Sequence, residues 1–274
     1  MGEEMRISEM IERVTAPNPG FMTGNGTNSY IIRAENGDCL VIDPGPEHTG
    51  HIKELVKRAG GAGRIKGIVV SHMHPDHSPA AMPLAKATGA QIYSPFAVDD
   101  PYQDKTLKAD YVVEHQQLLH IDNIRLRCIH TPGHVDNHMC YLLENEQVLF
   151  TGDHLMQGST VVIIPPHGDM KKYIDSLQLL KQYEILQLAP GHGEIMAQPQ
   201  QEIERIIQHR LAREAKVQQV LADFGPASID TLVTDVYDDV DTFLHEMAKQ
   251  SLYAHLLKLK QEGLVVQAGN QWRL

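Results

Sequence analysis

Cysteine is scarce in this 274-residue chain, with three residues, Cys39, Cys128 and Cys140, and no C-x-x-C spacing among them. An odd count without paired spacing excludes a disulfide framework and a thiolate metal cluster, and leaves each Cys as a small buried hydrophobe. Long apolar runs are missing too: 42 % of residues are hydrophobic, but no segment approaches the roughly twenty in a row that span a bilayer. The opening Met1-Gly2-Glu3-Glu4-Met5-Arg6 is acidic and lacks the apolar centre of a secretory signal, so a cytoplasmic location is expected. Basic residues are outnumbered, 24 Lys and Arg against 35 Asp and Glu, giving a formal charge of −11. Broad nucleic-acid binding relies on cations neutralising phosphates, so this balance argues against it. Part of the excess is local, since Asp223, Asp230, Asp235, Asp238, Asp239, Asp241 and Glu246 cluster near the C-terminus. Divalent ions would still make a pocket attractive to anions.

What is present is concentrated in one run, Ser71-His72-Met73-His74-Pro75-Asp76-His77, directly after the apolar segment Gly67-Ile68-Val69-Val70. Side chains two apart on an extended segment project to the same side, so His72, His74 and Asp76 can converge. Pro75 biases His74 toward extended backbone. Three imidazoles and a carboxylate at a strand end read as a metal site.

Further candidate ligands follow other strand-like runs. His134 lies in His130-Thr131-Pro132-Gly133-His134 after 124–129; Asp153 follows 148–150; His192, in Pro190-Gly191-His192-Gly193, follows 185–189. Loops after strand ends gather along one edge of a sheet, where α/β folds place their sites. Five His and two Asp without thiolate suit zinc and also admit manganese or iron. Seven ligands exceed the needs of one tetrahedral ion, so two ions are the economical reading.

The His-x-His-x-Asp-His signature at His72 to His77, with the three later motifs, resembles the metallo-β-lactamase superfamily over roughly residues 20–200. The resemblance implies that His72, His74 and His134 hold one ion, that Asp76, His77 and His192 hold a second, and that Asp153 bridges them. It implies a four-layer αββα sandwich, which the alternation of strands and helices permits. Asp43, in Val41-Ile42-Asp43-Pro44-Gly45, matches a family Asp near the metals; read from the residues alone it is equally a turn residue before Pro-Gly.

Strands are predicted at 28–34, 39–42, 91–93, 111–113 and 117–120, and helices at 51–59 and 170–183, the latter capped by Asp169. Ser78 with Pro79 is predicted to start a helix that Pro83 perturbs. Residues 97–110 read as a polar surface loop. From about residue 199 the pattern changes to helices at 201–222, 228–236 and 242–262 and a terminal hairpin, a winged-helix-like unit. A catalytic domain over 1–198 and a winged-helix-like domain over 199–274 are expected. The tail carries eight Lys and Arg against eleven Asp and Glu, which argues against double-stranded DNA binding and favours a packing cap over a substrate platform. The tail segments His209-Arg210-Leu211-Ala212-Arg213-Glu214 and Leu244-His245-Glu246-Met247-Ala248-Lys249, and 131–139, are similar to the β-lactamase-like group that includes mitochondrial single-strand endoribonucleases. His154 and His167 depart from that group's pattern and put substrate identity in doubt.

The chemistry follows from the ligands. Two metal ions lower the pKa of a shared water to about 7, and the resulting hydroxide can attack an acyl carbon or a phosphorus. Asp76 and Asp153 would orient it, with His167, Tyr173 and Arg210 as candidate substrate contacts. Three classes compete: a dinuclear-zinc hydrolase of single-stranded RNA, favoured by the tail; an acyl hydrolase of thioesters or lactones (glyoxalase II-like or lactonase-like, with a β-lactamase ranking lower); and a di-iron redox or metal-stabilised binding protein. A small molecule or single-stranded RNA is the expected substrate, without a membrane partner.

Overall fold

The computed structural model describes residues 4–274; the acidic opening lies outside them up to Glu3. The chain packs as two compact units that are not continuous in sequence. The first holds the chain up to Thr131 together with Asn137–Ser159 and Glu184–Pro199; the second holds Pro132–Asp136, Thr160–Tyr183 and Gln200–Leu274.

In the first unit, β1 (Glu4–Arg6), β2 (Ile11–Thr15), β3 (Asn28–Arg33), β4 (Cys39–Ile42), β5 (Ile65–Val69), β6 (Gln91–Ser94) and β7 (Tyr111–Val112) form one sheet in sequence order. Strands β8 (Leu118–Ile121), β9 (Ile124–His130), β10 (Met139–Leu143), β11 (Val148–Gly152) and β12 (Gln187–Pro190) form the second, in the order β12-β11-β10-β9-β8. Helices α1 (Thr49–Arg58) and α2 (Ala81–Thr88) also belong here. Strand side chains alternate sides, and both faces of the first sheet are covered. Tyr30, Ile32, Leu40, Ile42 and Val69 pack with Leu126, Cys128, Tyr141 and Phe150 of the second sheet. Their neighbours Ile31, Val41 and Ile68 pack instead with Leu55, Ala81 and Leu84 of the two helices. All three Cys are free and buried.

Two buried tyrosines stitch the sheets together. Tyr30 Oη donates to the Pro190 carbonyl and Tyr141 Oη to the Val70 carbonyl, each at 2.7 Å. Both acceptors sit just ahead of a ligand-bearing loop, so a polar tip in an apolar core aligns those loops as well as satisfying itself.

In the second unit, α3 (Met170–Leu180) is capped by Asp169, whose side chain accepts from Lys172 N. Helices α4 (Pro199–Phe224), α5 (Ile229–Val236) and α6 (His245–Gln261) follow, with β13 (Ala227–Ser228), β14 (Val266–Ala268) and β15 (Gln271–Arg273) in the order β13-β15-β14. Leu252, Leu256 and Leu259, spaced to share one face of α6, bury against Val217, Leu221, Leu232, Val236 and Trp272.

Two local expectations are corrected. Ser78 does not cap α2, whose first flanking residue is Ala80 without a side-chain bond; its hydroxyl donates to Asp104 at 2.9 Å. Pro83 does not perturb the helix, because it falls in the first turn, where the backbone N–H has no intrahelical partner. The terminal hairpin also gains β13 as a third strand. Among the described residues no helix is long and apolar enough to cross a membrane.

Candidate metal centre

Strands β4 and β5 pair in parallel, and β11 and β12 do likewise. Strand β9 is antiparallel to β10, which is antiparallel to β11, so β9 runs the same way as β11. Asp43, the 71–77 run, His134, Asp153 and His192 therefore all follow the C-terminal ends of like-directed strands within their sheets. Two groups of ligand atoms result. Within the first unit, His72, His74 and Asp153 offer atoms lying within 4.8 Å of one another, as do Asp76, His77, Asp153 and His192, while His134 belongs to the second unit. Asp153 belongs to both.

The ring nitrogens show how each imidazole is aimed. A His that donates through one nitrogen presents the other as a lone pair. His77 Nδ1 lies 2.9 Å from Asp43 Oδ2, His134 Nδ1 2.9 Å from the Val162 carbonyl, and His192 Nδ1 3.2 Å from the Gly26 carbonyl. For His72 the anchor is the Ser71 hydroxyl, 3.0 Å from Nδ1. Ser71 Oγ donates its own proton to Asp43 Oδ2 at 2.6 Å, so it accepts from His72. His72 Nε2 then faces His74 Nδ1 at 2.9 Å. These tautomers are inferred from the bonding pattern.

At the second group, His77 Nε2 stands 3.2 Å from Asp153 Oδ1 and 3.6 Å from Asp76 Oδ2. His192 Nε2 stands 3.3 Å and 3.1 Å from the same two atoms. Both nitrogens are buried and make no hydrogen bond of good geometry. Burial opposes charge on His77, but Asp76, Asp153 and Asp43 outweigh it and hold the imidazole well above its usual range. Burial also opposes charge on Asp153, and His192 and His77 outweigh it, keeping the carboxyl well below the usual carboxylate range. The array thus favours positive charge at its centre, for which protons and a metal cation compete. Lone pairs and carboxylates turned inward, with anchors turned outward, fit a cation.

Asp43 is resolved as an anchor rather than a turn residue. It is buried, takes a positive φ of 46°, and accepts from Ser71 N at 2.6 Å as well as from Ser71 Oγ and His77. Asp tolerates this left-handed conformation better than most residues. Asp43→Ala is expected to weaken metal binding by about 10–100-fold, as for other outer partners of ligating His. Titration against a chelator of known affinity measures this, and unchanged affinity would contradict the role.

Other residues supporting the centre carry little sequence signal. Asn28 Nδ2 donates to the Pro190 and Gly193 carbonyls at 3.0 and 2.9 Å, and Arg13 pairs with Glu194, so the His192 loop is held from β2 and β3. Nothing local marks Arg13 or Asn28 among the other polar residues of β2 and β3. His154 is buried with its ring 5.6 Å from that of His138. His167, half-buried, lies 3.2 Å from Asp136 through Nδ1. Tyr173 and Arg210, expected as substrate contacts, are 0 % and 3 % exposed within the second unit. Arg210 lies 5.3 Å from the Tyr173 ring centroid and donates to the Val161 carbonyl, which describes a packing pair rather than a solvent-facing contact.

A fold of this kind with this ligand pattern has known relatives. The chain belongs to the metallo-beta-lactamase superfamily, whose family description matches residues 22–192. Residues 228–272 match the beta-lactamase associated winged helix domain. A metallo-beta-lactamase family protein from Thermus thermophilus superposes with a TM-score of 0.81 at 20 % identity, covering 98 % of this chain and 99 % of that one. The αββα class and the winged-helix tail are thereby borne out. Among sequence relatives, a beta-lactamase-like protein 2 homolog from Caenorhabditis elegans is 26 % identical, over 95 % of this chain and 87 % of its own. An atrochrysone carboxyl ACP thioesterase from Aspergillus chevalieri is 27 % identical, over 97 % of this chain and 83 % of its own. The protein is a hydrolase of this superfamily with candidate His/Asp metal-binding groups.

Proposed function

We propose that the protein is a dinuclear metal-dependent hydrolase in which His72, His74 and His134 hold one cation, Asp76, His77 and His192 hold a second, and Asp153 is common to both. The membership of Asp153 in two ligand groups is the observation that carries this reading. When bound, such cations lower the pKa of water and polarise a carbonyl or phosphoryl oxygen. The donor set is imidazole and carboxylate, for which zinc is the first choice and manganese or iron the alternatives. The chain supplies the rest. Asp43, Ser71 and the Val162 and Gly26 carbonyls fix the imidazoles. Asp76, with a side chain 26 % exposed against 11 % for Asp153, is the carboxylate that an entering water meets and that orients it. No Ser or Cys nucleophile is required.

For the bond cleaved, a carboxylic thioester is the reading we favour. Relatives carrying thioesterase names align along nearly the whole chain, and a formal charge of −11 suits a small acyl substrate better than a polyanion. A phosphodiester of single-stranded RNA is the second reading, resting on the similarity of the tail segments to single-strand endoribonucleases. Parallel assays on acyl-pantetheine thioesters, S-lactoylglutathione and labelled single-stranded RNA, with and without added zinc or manganese, separate the two. Metal-dependent thiol release without RNA cleavage is expected. RNA cleavage without thiol release would transfer the assignment to the phosphodiester.

A further inference from the structure

Asp153 reaches both ligand groups from the end of β11, so the placement of its backbone decides where its carboxylate stands. The peptide joining Gly152 and Asp153 is gripped at both ends. Its carbonyl accepts from Gly191 N at 2.9 Å. Its N–H donates to His138 Nε2 at 3.2 Å. Gly152 takes a φ of 46°, and a Cβ there would lie 2.7 Å from Ser71 Oγ and 2.8 Å from His138 Nε2, so the turn admits only glycine without movement of its neighbours.

The bonds behind His138 follow in order. Because Nε2 accepts from Asp153 N, the ring proton resides on Nδ1 and is donated to Thr131 Oγ1 at 2.9 Å. Thr131 Oγ1 donates onward to Cys140 Sγ at 3.3 Å, and the thiol donates to the Thr151 carbonyl at 3.6 Å. The circuit thus starts at the Asp153 amide and returns to β11 two residues earlier. Thr131, His138 and Cys140 are all fully buried. The His138 ring lies 5.1 Å from that of His72, leaving it little room to reorient.

We propose that His138 is a positioning residue that sets the Asp153 carboxylate between the two ligand groups by accepting from the Asp153 amide, with Thr131 and Cys140 holding its tautomer. This rests on the dinuclear reading above but concerns a residue that belongs to neither ligand group. In the terms of side-chain geometry, Gln places an amide atom about where Nε2 lies, and Asn about where Nδ1 lies. His138→Gln therefore keeps an acceptor for Asp153 N and loses the bond to Thr131, whereas His138→Asn does the reverse.

The test measures zinc affinity of the full chain by chelator competition, beside unfolding midpoints for each variant. The expected result is that Gln stays within about 3-fold of the parent while Asn weakens binding by about 10–100-fold, the range found for outer partners of metal ligands. Equal affinity of the Asn and Gln variants would overturn the proposal, whether both match the parent or both fall together with their unfolding midpoints. If the parent chain itself bound no zinc, the dinuclear reading would fail instead, and the two failures are distinguishable.

Discussion

Asp153→Ala is expected to reduce turnover to background and to lower the metal content of both groups, with the fold retained. The loss should exceed the roughly 10²–10³-fold seen when a single electrostatic contributor is removed from an active site, because one side chain serves both groups. Without it, His77 Nε2 and His192 Nε2 face Asp76 alone. The fold should persist because the backbone at 152–153 is held through main-chain atoms, which the substitution leaves in place. His74→Ala provides the contrast, since it belongs to the first group only, and it should lose turnover while keeping the second group's cation. Steady-state rates, elemental analysis and circular dichroism check the pair. Full activity in either variant would contradict the assignment.

The second large effect concerns acid stability and arises away from the metal groups. His255, fully buried on α6, has its pKa pushed down to about 4, first by burial and then by the nearby Arg210 and Lys258 charges, against the opposing pull of Glu214. Its Nδ1 stands 3.7 Å from Glu214 Oε2, and Lys258 bonds Glu214 Oε1 at 2.7 Å. An unfolded His titrates near 6.5. Between pH 6.5 and 4 the unfolded chain binds the extra proton, so stability falls with pH across that window and the penalty is complete below about 4. For this one group the loss between pH 7 and pH 5 is about 2 kcal/mol, a large share of the roughly 5–15 kcal/mol that holds a domain together. Glu214 is held below the usual carboxylate range by His255 and Lys258 despite burial. His51, lowered to about 4 by burial and by His48, adds the same sign in the first unit. The chain's one Trp, Trp272, is buried in the same core as α6 and reports the second unit's unfolding. Urea titrations followed by its fluorescence at pH 7 and 5 should show the loss, and His255→Leu should shrink it by about 2 kcal/mol. An undiminished pH dependence in that variant would contradict the account.

The ligand residues were legible because their spacing is local: a strand, then His72, His74, Asp76 and His77 within six positions, places several donors together whatever the rest of the chain does. Most strands were legible for a related reason, since their apolar runs are bounded by turn residues. What surrounds the ligands was not. Asn28 and Arg13 act through partners 165 and 181 positions away, and Ser71 joins its neighbour His72 to Asp43, 28 positions away; nothing local distinguishes them from other polar residues. Tyr173 and Arg210 stand out in the sequence by chemical type, yet burial places them on each other. The second unit draws in Pro132–Asp136 and Thr160–Tyr183, a membership set by packing between distant segments. Ser78 illustrates the limit of capping rules: its hydroxyl donates to Asp104, 26 positions away, and the helix begins after Ala80 without a side-chain cap bond.

The proposed centre holds two cations about one shared carboxylate. The most direct test loads the metal-free protein with zinc, removes unbound ions by gel filtration and determines zinc per chain by elemental analysis. Two per chain in the parent, falling below one in Asp153→Ala, is the predicted outcome. A parent that retains one or none, or an Asp153→Ala variant that still retains two, would contradict it.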